Sequence, residues 1–167
     1  MNENKHADNR MGKEEKLRLK TLVDGLFREG DTLYDFPLRM NFRALGQEGL
    51  SGSFRCGTPE GVGPLQMLVT VPKRKRRRAV DRVLLRRRIR EAYRLNRHRL
   101  REAVTESGAI ATLGMAFIYM HDTNVDYALI EKKMRKLLDR LTTMIEEGSL
   151  KIHNPVGHNQ AEDDSTR

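Results

Sequence analysis

An α+β fold, a small and mostly four-stranded sheet packed with about three helices, is predicted for this 167-residue chain by three observations. Residues 34–44 and 65–71 carry strand patterning, the first as strict alternation of apolar and polar side chains. Residues 14–27, 79–101 and 127–145 repeat apolar residues at helical spacing. The resulting order of helix, strand, strand, helix, strand, helix suits one sheet and one helical layer sharing a single core.

The elements follow in chain order. Residues 1–13 are polar and are expected to be a disordered tail. From Glu14 to Phe27, Leu19, Leu22, Val23 and Leu26 fall on one helical face, and Gly30 is a natural terminator. Tyr34, Phe36, Leu38, Met40, Phe42 and Ala44 then alternate with Asp35, Pro37, Arg39, Asn41 and Arg43, which reads as one half-buried strand with a polar face. Pro37 marks an edge or the strand's beginning. Residues 45–64 are Gly-rich and read as a long connection, with a short strand near Ser53–Cys56. Leu65–Val71 is a second strand, and Met115–Met120, behind Gly108 and Gly114, a third. Tyr127, Ile130, Met134, Leu137, Leu138, Leu141 and Ile145 mark a closing amphipathic helix. One domain is expected over residues 14–147, with 148–167 a second disordered tail.

Composition excludes several classes. Cys56 is the single cysteine, so no disulfide framework is possible, and the five histidines are scattered without thiolates, so no zinc site is expected. No apolar run approaches membrane-spanning length, and the N-terminus lacks the apolar centre of a signal peptide, so a cytoplasmic location is expected.

Charge is the most informative feature. Residues 73–101 hold 15 of the 32 Lys and Arg against two acids, Asp81 and Glu91, so these 29 residues carry net +13 while the rest of the chain is net −4. An excess this local is a binding surface for a polyanion, most often nucleic acid. On a helical wheel starting at Val80, Arg86, Arg87, Arg90, Arg94, Arg97 and Arg101 fall between roughly 240° and 340°. Leu84, Leu85, Ile89, Ala92, Tyr93, Leu95 and Leu100 fall between roughly 40° and 220°, which assigns them to the sheet-facing side. Like charges one turn apart repel, and this stripe contains no Glu to dilute them. A bound polyanion would relieve the repulsion and release counterions, and Arg favours forked hydrogen bonds to phosphate. A merely solvated charged face is the bland alternative. Six consecutive bases, Lys73 to Arg78, precede the helix; a localisation signal is the competing reading, but their place between a strand and a helix of one domain argues against a detachable tag.

The stretch VPKRKRRRAVDRVLLRRRIREAYRLNRHRL resembles the signature of the bacterial ribonuclease P protein subunit, a strand, a basic loop and then Ala-Val-x-Arg-Asn-x-x-Lys/Arg-Arg-x-x-Arg-Glu on a helix. Ala79, Val80, Arg82, Arg86, Arg87, Arg90 and Glu91 match; Val83 stands where the family usually has Asn. LVDGLFREGDT resembles the family's first helix, and with the last helix the resemblance covers residues 14–145. It implies a left-handed βαβ crossover, against the usual hand. It also implies removal of the 5′ leader of precursor tRNA by hydrolysis, with Mg2+ and the active site on an RNA subunit and the protein inactive alone. The implied partners are ribonuclease P RNA and precursor tRNA, with no obligate protein partner. The motif region supplies the RNA-binding candidates Lys73, Arg74, Arg78, Arg82, Arg86, Arg87, Arg90, Arg94 and Arg97. A cleft between the first helix and the sheet implies the leader-binding candidates Phe27, Arg39, Asn41 and Arg43, with core packing the alternative for Phe27.

The residues themselves offer no acid/base or nucleophile constellation, and Asp81 and Glu91, set among arginines, read as ion-pairing residues rather than catalytic or metal-binding ones. A ribosomal or other structural RNA-binding protein would share the basic helix but not the leader cleft. A DNA-binding regulator is disfavoured because no heptad zipper follows Arg101.

Overall fold

The computed structural model describes residues 10–154. A five-stranded sheet is built from β1 (Asp31–Asp35), β2 (Leu38–Leu45), β3 (Leu65–Thr70), β4 (Thr112–Tyr119) and β5 (Ile152–His153). Five helices accompany it: α1 (Lys20–Glu29), α2 (Gln47–Gly52), α3 (Ala79–Asn96), α4 (His98–Ser107) and α5 (Tyr127–Glu146). The strand order is β1-β2-β4-β3; β1 and β4 flank β2 antiparallel, β3 runs parallel to β4, and β5 joins the end of β2. The α+β class read from the sequence holds.

Period-two alternation decides what each face of the sheet carries. Leu38, Met40, Phe42 and Ala44 of β2, with Leu113, Met115, Phe117 and Tyr119 of β4, are buried under α3, α4 and α5 in the main core. Ile89, Tyr93, Leu100, Met134, Leu137 and Leu141 meet them from the helical side. The opposite face carries Arg39, Asn41 and Arg43, with Ala116 and Leu45 in a smaller cluster closed by Leu17, Leu22 and Leu26. The sheet therefore has one dry face and one partly covered polar face.

Several elements differ from their sequence patterns. The alternation over 34–44 spans a hairpin, not one strand: the chain reverses at Phe36–Pro37, and Tyr34 pairs with Arg39. Pro37 thus stands just ahead of β2, while Tyr34 and Phe36 are exposed rather than part of the core row. The first helix starts at Lys20, because residues 16–17 instead lie along β3, with the Leu17 N–H donating to the Met67 carbonyl. Lys13–Glu15 forms a single 3-10 turn and Met11 packs on the main core, so the expected tail over 1–13 is structured from at least residue 11; residues 1–9 lie outside the described ones.

The Gly-rich connection contains α2 and no strand at Ser53–Cys56. Its glycines admit β5: a Cβ on Gly49 would collide with the His153 carbonyl, and one on Gly46 with the Asn154 side chain. The segment expected to be a tail from residue 148 therefore contributes a strand before the described residues end at 154. Finally, the long helix over 79–101 divides at Arg97 into α3 and α4.

Candidate nucleic-acid interface

α3 buries Leu85, Ile89, Ala92 and Tyr93. The apolar arc is narrower than the wheel suggested: Val80, Val83, Leu84 and Leu95 are exposed, so Leu84 and Leu95 do not face the sheet. What remains outward is a cationic face. Arg87 and Arg90 are exposed and Arg86 half-buried, and among the described residues none of the three pairs with a carboxylate.

The basic loop ahead of α3 is held in shape rather than left slack. Arg82 donates to the carbonyls of Arg76 at 2.9 Å and Arg77 at 2.6 Å. Arg76 donates to the Asp122 carbonyl and pairs with Asp81 at 3.0 Å, and Lys75 pairs with Asp122 at 3.2 Å. Asn124 donates to the other Asp81 oxygen at 2.9 Å. These bonds, with Arg76 and Arg78 nearby, keep the Asp81 carboxyl below its ordinary range, although partial desolvation opposes them. Lys73, Arg74 and Arg78 are left exposed on the outer side. Thus Arg82, a candidate for RNA contact, spends its guanidinium on the loop's backbone, and Asp81 ties the loop to residues 122–124.

The C-terminal part of the stripe departs further from expectation. Arg97 is fully buried. It contacts Glu15 through Nε at 2.8 Å and Nη2 at 3.1 Å, and it also donates to the carbonyls of Arg94 at 2.6 Å and Arg10 at 3.1 Å. A guanidinium so enclosed cannot reach RNA, so Arg97 is removed from the contact set. The wheel placed it in the stripe, but the helix breaks there, and Glu15, 82 residues away in sequence, meets it inside. Neighbouring Tyr93 is pushed up in pKa by burial first and by Glu15 second. Arg94 pairs with Glu91 at 2.6 Å, which lowers the Glu91 pKa through that hydrogen bond and leaves Arg94 with a neutralised, part-buried charge.

The polar sheet face separates its four candidates as well. Phe27 on α1 is 46% exposed and belongs to neither core cluster, so core packing does not account for it. Arg39 is half-buried and makes no ion pair among the described residues. Asn41 is buried and receives the Thr32 hydroxyl at 3.4 Å. Arg43 runs under α1, where a Cβ on Gly25 would overlap its guanidinium, and pairs with Glu29 at 2.6 Å. Phe27 and Arg39 are therefore open to a ligand, Asn41 nearly closed, and Arg43 committed to holding α1. Tyr34, opposite Arg39 in register and exposed, adds an aromatic to this face that the single-strand reading hid.

No group of three or more His, Cys, Asp or Glu that could hold a metal occurs among the described residues, and no helix among them is long and apolar enough to cross a membrane. Fold and charge together define the class: a small α+β domain with a cationic helix and loop suited to a polyanion. The profile of the family described as Ribonuclease P matches residues 11–142. A curated relative from Porphyromonas gingivalis, "Ribonuclease P protein component", is 33% identical over 141 residues, 84% of this chain and 93% of that protein. Two solved structures share the fold. The ribonuclease P protein of Thermotoga maritima gives a TM-score of 0.53 at 21% identity, covering 75% of this chain and 96% of that one. That of Staphylococcus aureus gives 0.52 at 11% identity, covering 75% and 94%. The chain belongs to the ribonuclease P protein family, the protein components of a tRNA-processing endoribonuclease.

Proposed function

We propose that this chain binds the RNA subunit of ribonuclease P through Arg86, Arg87 and Arg90 of α3 together with the outer side of the basic loop, Lys73, Arg74 and Arg78. The single observation that carries the reading is that, in a chain of this family, none of these cations forms an ion pair with a carboxylate among the described residues, while Arg76, Arg94 and Arg97 do. Unpaired guanidiniums along one helix gain from phosphates what they cannot gain from the protein. The polar sheet face then takes the 5′ leader of precursor tRNA, with Phe27 and Tyr34 as stacking surfaces and Arg39 as the cation.

In this reading cleavage belongs to the RNA subunit. Asp81 and Glu91 are the acids within the motif region, and both are engaged by Arg76, Asn124 and Arg94, which leaves neither carboxylate free to hold Mg2+. Mg2+ is assigned to the RNA, where it would activate water and stabilise the leaving oxygen. Reconstitution tests this. The organism's ribonuclease P RNA is assayed for leader removal at low magnesium with and without the protein, and the protein is assayed alone. Stimulation of the RNA and no cleavage by the protein alone are expected. Cleavage by RNA-free protein that an Asp or Glu substitution abolishes would refute the division of labour.

A further inference from the structure

Beside the stripe lies a cleft of about 540 Å³ between residues 11–18, β3 and α3. Met11, Met67 and Val69 give it an apolar interior, and Lys16, Arg18 and Arg90 supply the cations that line it. None of these three cations pairs with a carboxylate among the described residues. We propose that the cleft receives one unpaired nucleotide of an RNA strand lying on α3, an inference that rests on the RNA-binding reading above and adds a site to it.

Three features carry the assignment. The volume falls in the range of small-ligand sites, roughly 300–1,000 Å³. The interior suits a base, since polarisable thioethers make favourable contacts with aromatic rings, and the surrounding cations suit its phosphate. Arg90 also stands about one helical turn, roughly 5.4 Å, beyond Arg86 on the same face, so a backbone held by the stripe passes the cleft. An apolar peptide would meet three cations with nothing to neutralise them, which favours the nucleotide.

The cleft has a fixed wall. The Leu17 N–H donates to the Met67 carbonyl at 3.0 Å, and two residues earlier the Glu15–Arg97 pair anchors the chain inside the domain. Lys16 and Arg18 therefore flank a residue that is hydrogen-bonded to the edge strand β3, and little ordering remains to be done when a nucleotide enters.

The cysteine content makes the test direct. On a Cys56→Ser background, Arg18→Cys is labelled with a benzophenone maleimide, and Arg87→Cys serves as the stripe control. Each is irradiated on the ribonuclease P RNA, with and without a leader-bearing precursor tRNA. The Arg18→Cys probe is expected to crosslink to one or two adjacent unpaired nucleotides. Val69→Trp, which fills the cleft, should reduce that crosslink by roughly five-fold or more, the lower end of what a stacked base contributes. Lys16→Glu should reduce it without entering the core, and the Arg87→Cys crosslink should survive both changes. A crosslink on the RNA subunit alone assigns the nucleotide to that RNA; one that needs the leader assigns it to the substrate. Crosslinks spread over many nucleotides, or unchanged by both cleft variants, overturn the pocket while leaving the stripe intact. Absence of crosslinking from both positions, with Val69 and Lys16 left unchanged, overturns the RNA-binding reading itself.

Discussion

The two ends of the arginine stripe share residue type, spacing and helical phase, yet differ in what surrounds them. At the N-terminal end Arg86, Arg87 and Arg90 face outward without carboxylates among the described residues. At the C-terminal end Glu91 holds Arg94, while Glu15 holds Arg97 and lies 3.6 Å from Arg101. A guanidinium with an acid in reach becomes part of the fold; one without remains available to a polyanion. The deciding residue for Arg97 lies 82 residues away in sequence, which is why no helical wheel can separate the two groups.

The largest expected effect comes from breaking the inner pair. Arg97→Ala should leave the buried Glu15 with only the longer 3.6 Å contact to Arg101, at a loss of about 3 kcal/mol in stability, the lower end for a broken buried pair. Denaturant unfolding measures this, and Glu15→Ala should behave alike. The double change Arg97→Met/Glu15→Leu should recover much of the loss, because paired removal of a buried ion pair is often neutral. Arg97→Ala with full stability and reduced RNA affinity would erase the distinction between the two ends.

The outer end should respond in the opposite way. Arg86→Ala and Arg87→Ala should leave stability within about 0.5 kcal/mol, or raise it slightly by relieving repulsion. Each should weaken binding to the RNA subunit and reduce the salt dependence by about one unit of slope for every phosphate no longer neutralised. Filter binding across a salt series reads both. Unchanged affinity and slope in a folded double variant would place the RNA elsewhere.

Much of this was legible in the sequence because it is periodic. Alternation over 38–44 and helical spacing in α5 report a dry face directly, and a net charge of +13 over residues 73–101 reports a surface. Pairing between distant residues was not legible. Glu15 falls in the first turn of the helix predicted over 14–27, with nothing in the period to mark a distant partner, and only the fold shows it enclosed. The hairpin escaped for a related reason: the alternation continues in phase through Phe36–Pro37, so nothing in the period marks the reversal. β5 is too short to carry a pattern, and its place shows only in Gly46 and Gly49, which have no room for side chains where it docks.

The same rule divides the sheet-face arginines at smaller scale. Arg43 has Glu29 in reach and Arg39 has no acid partner among the described residues. Arg39→Ala is expected to lower affinity for precursor tRNA with a leader by about 1 kcal/mol while leaving mature tRNA nearly unaffected. Arg43→Ala should instead loosen α1, seen as faster hydrogen exchange over residues 20–29. Equal losses for both RNAs on Arg39→Ala would move that residue to the interface with the RNA subunit.

His153 gives the smallest effect and tests the rule with a conditional cation. It sits half-buried on β5, beside the Arg43–Glu29 pair. Its pKa is lowered from 6.5 by burial first, then by Arg43 and Lys151, while Glu29 and Asp31 pull weakly the other way. The sign follows from proton counting. Between the folded pKa and the unfolded value of 6.5 the unfolded chain binds more protons, so stability rises with pH through that window. The contribution is complete above 6.5 and is lost as pH falls through the folded value. Protonation adds a positive charge beside Arg43 and Lys151, where Glu29 is already paired with Arg43 and Asp31 offsets only part of the repulsion, and it should weaken the hold of residues 152–153 on β2. Hydrogen exchange corrected for intrinsic rates should therefore speed up at β5 and α2 between about pH 7.5 and 5.5, with β4 unchanged. His153→Gln keeps a polar side chain without the titration and should flatten the response. An identical pH response in that variant would assign the effect to another group and leave the ring neutral throughout.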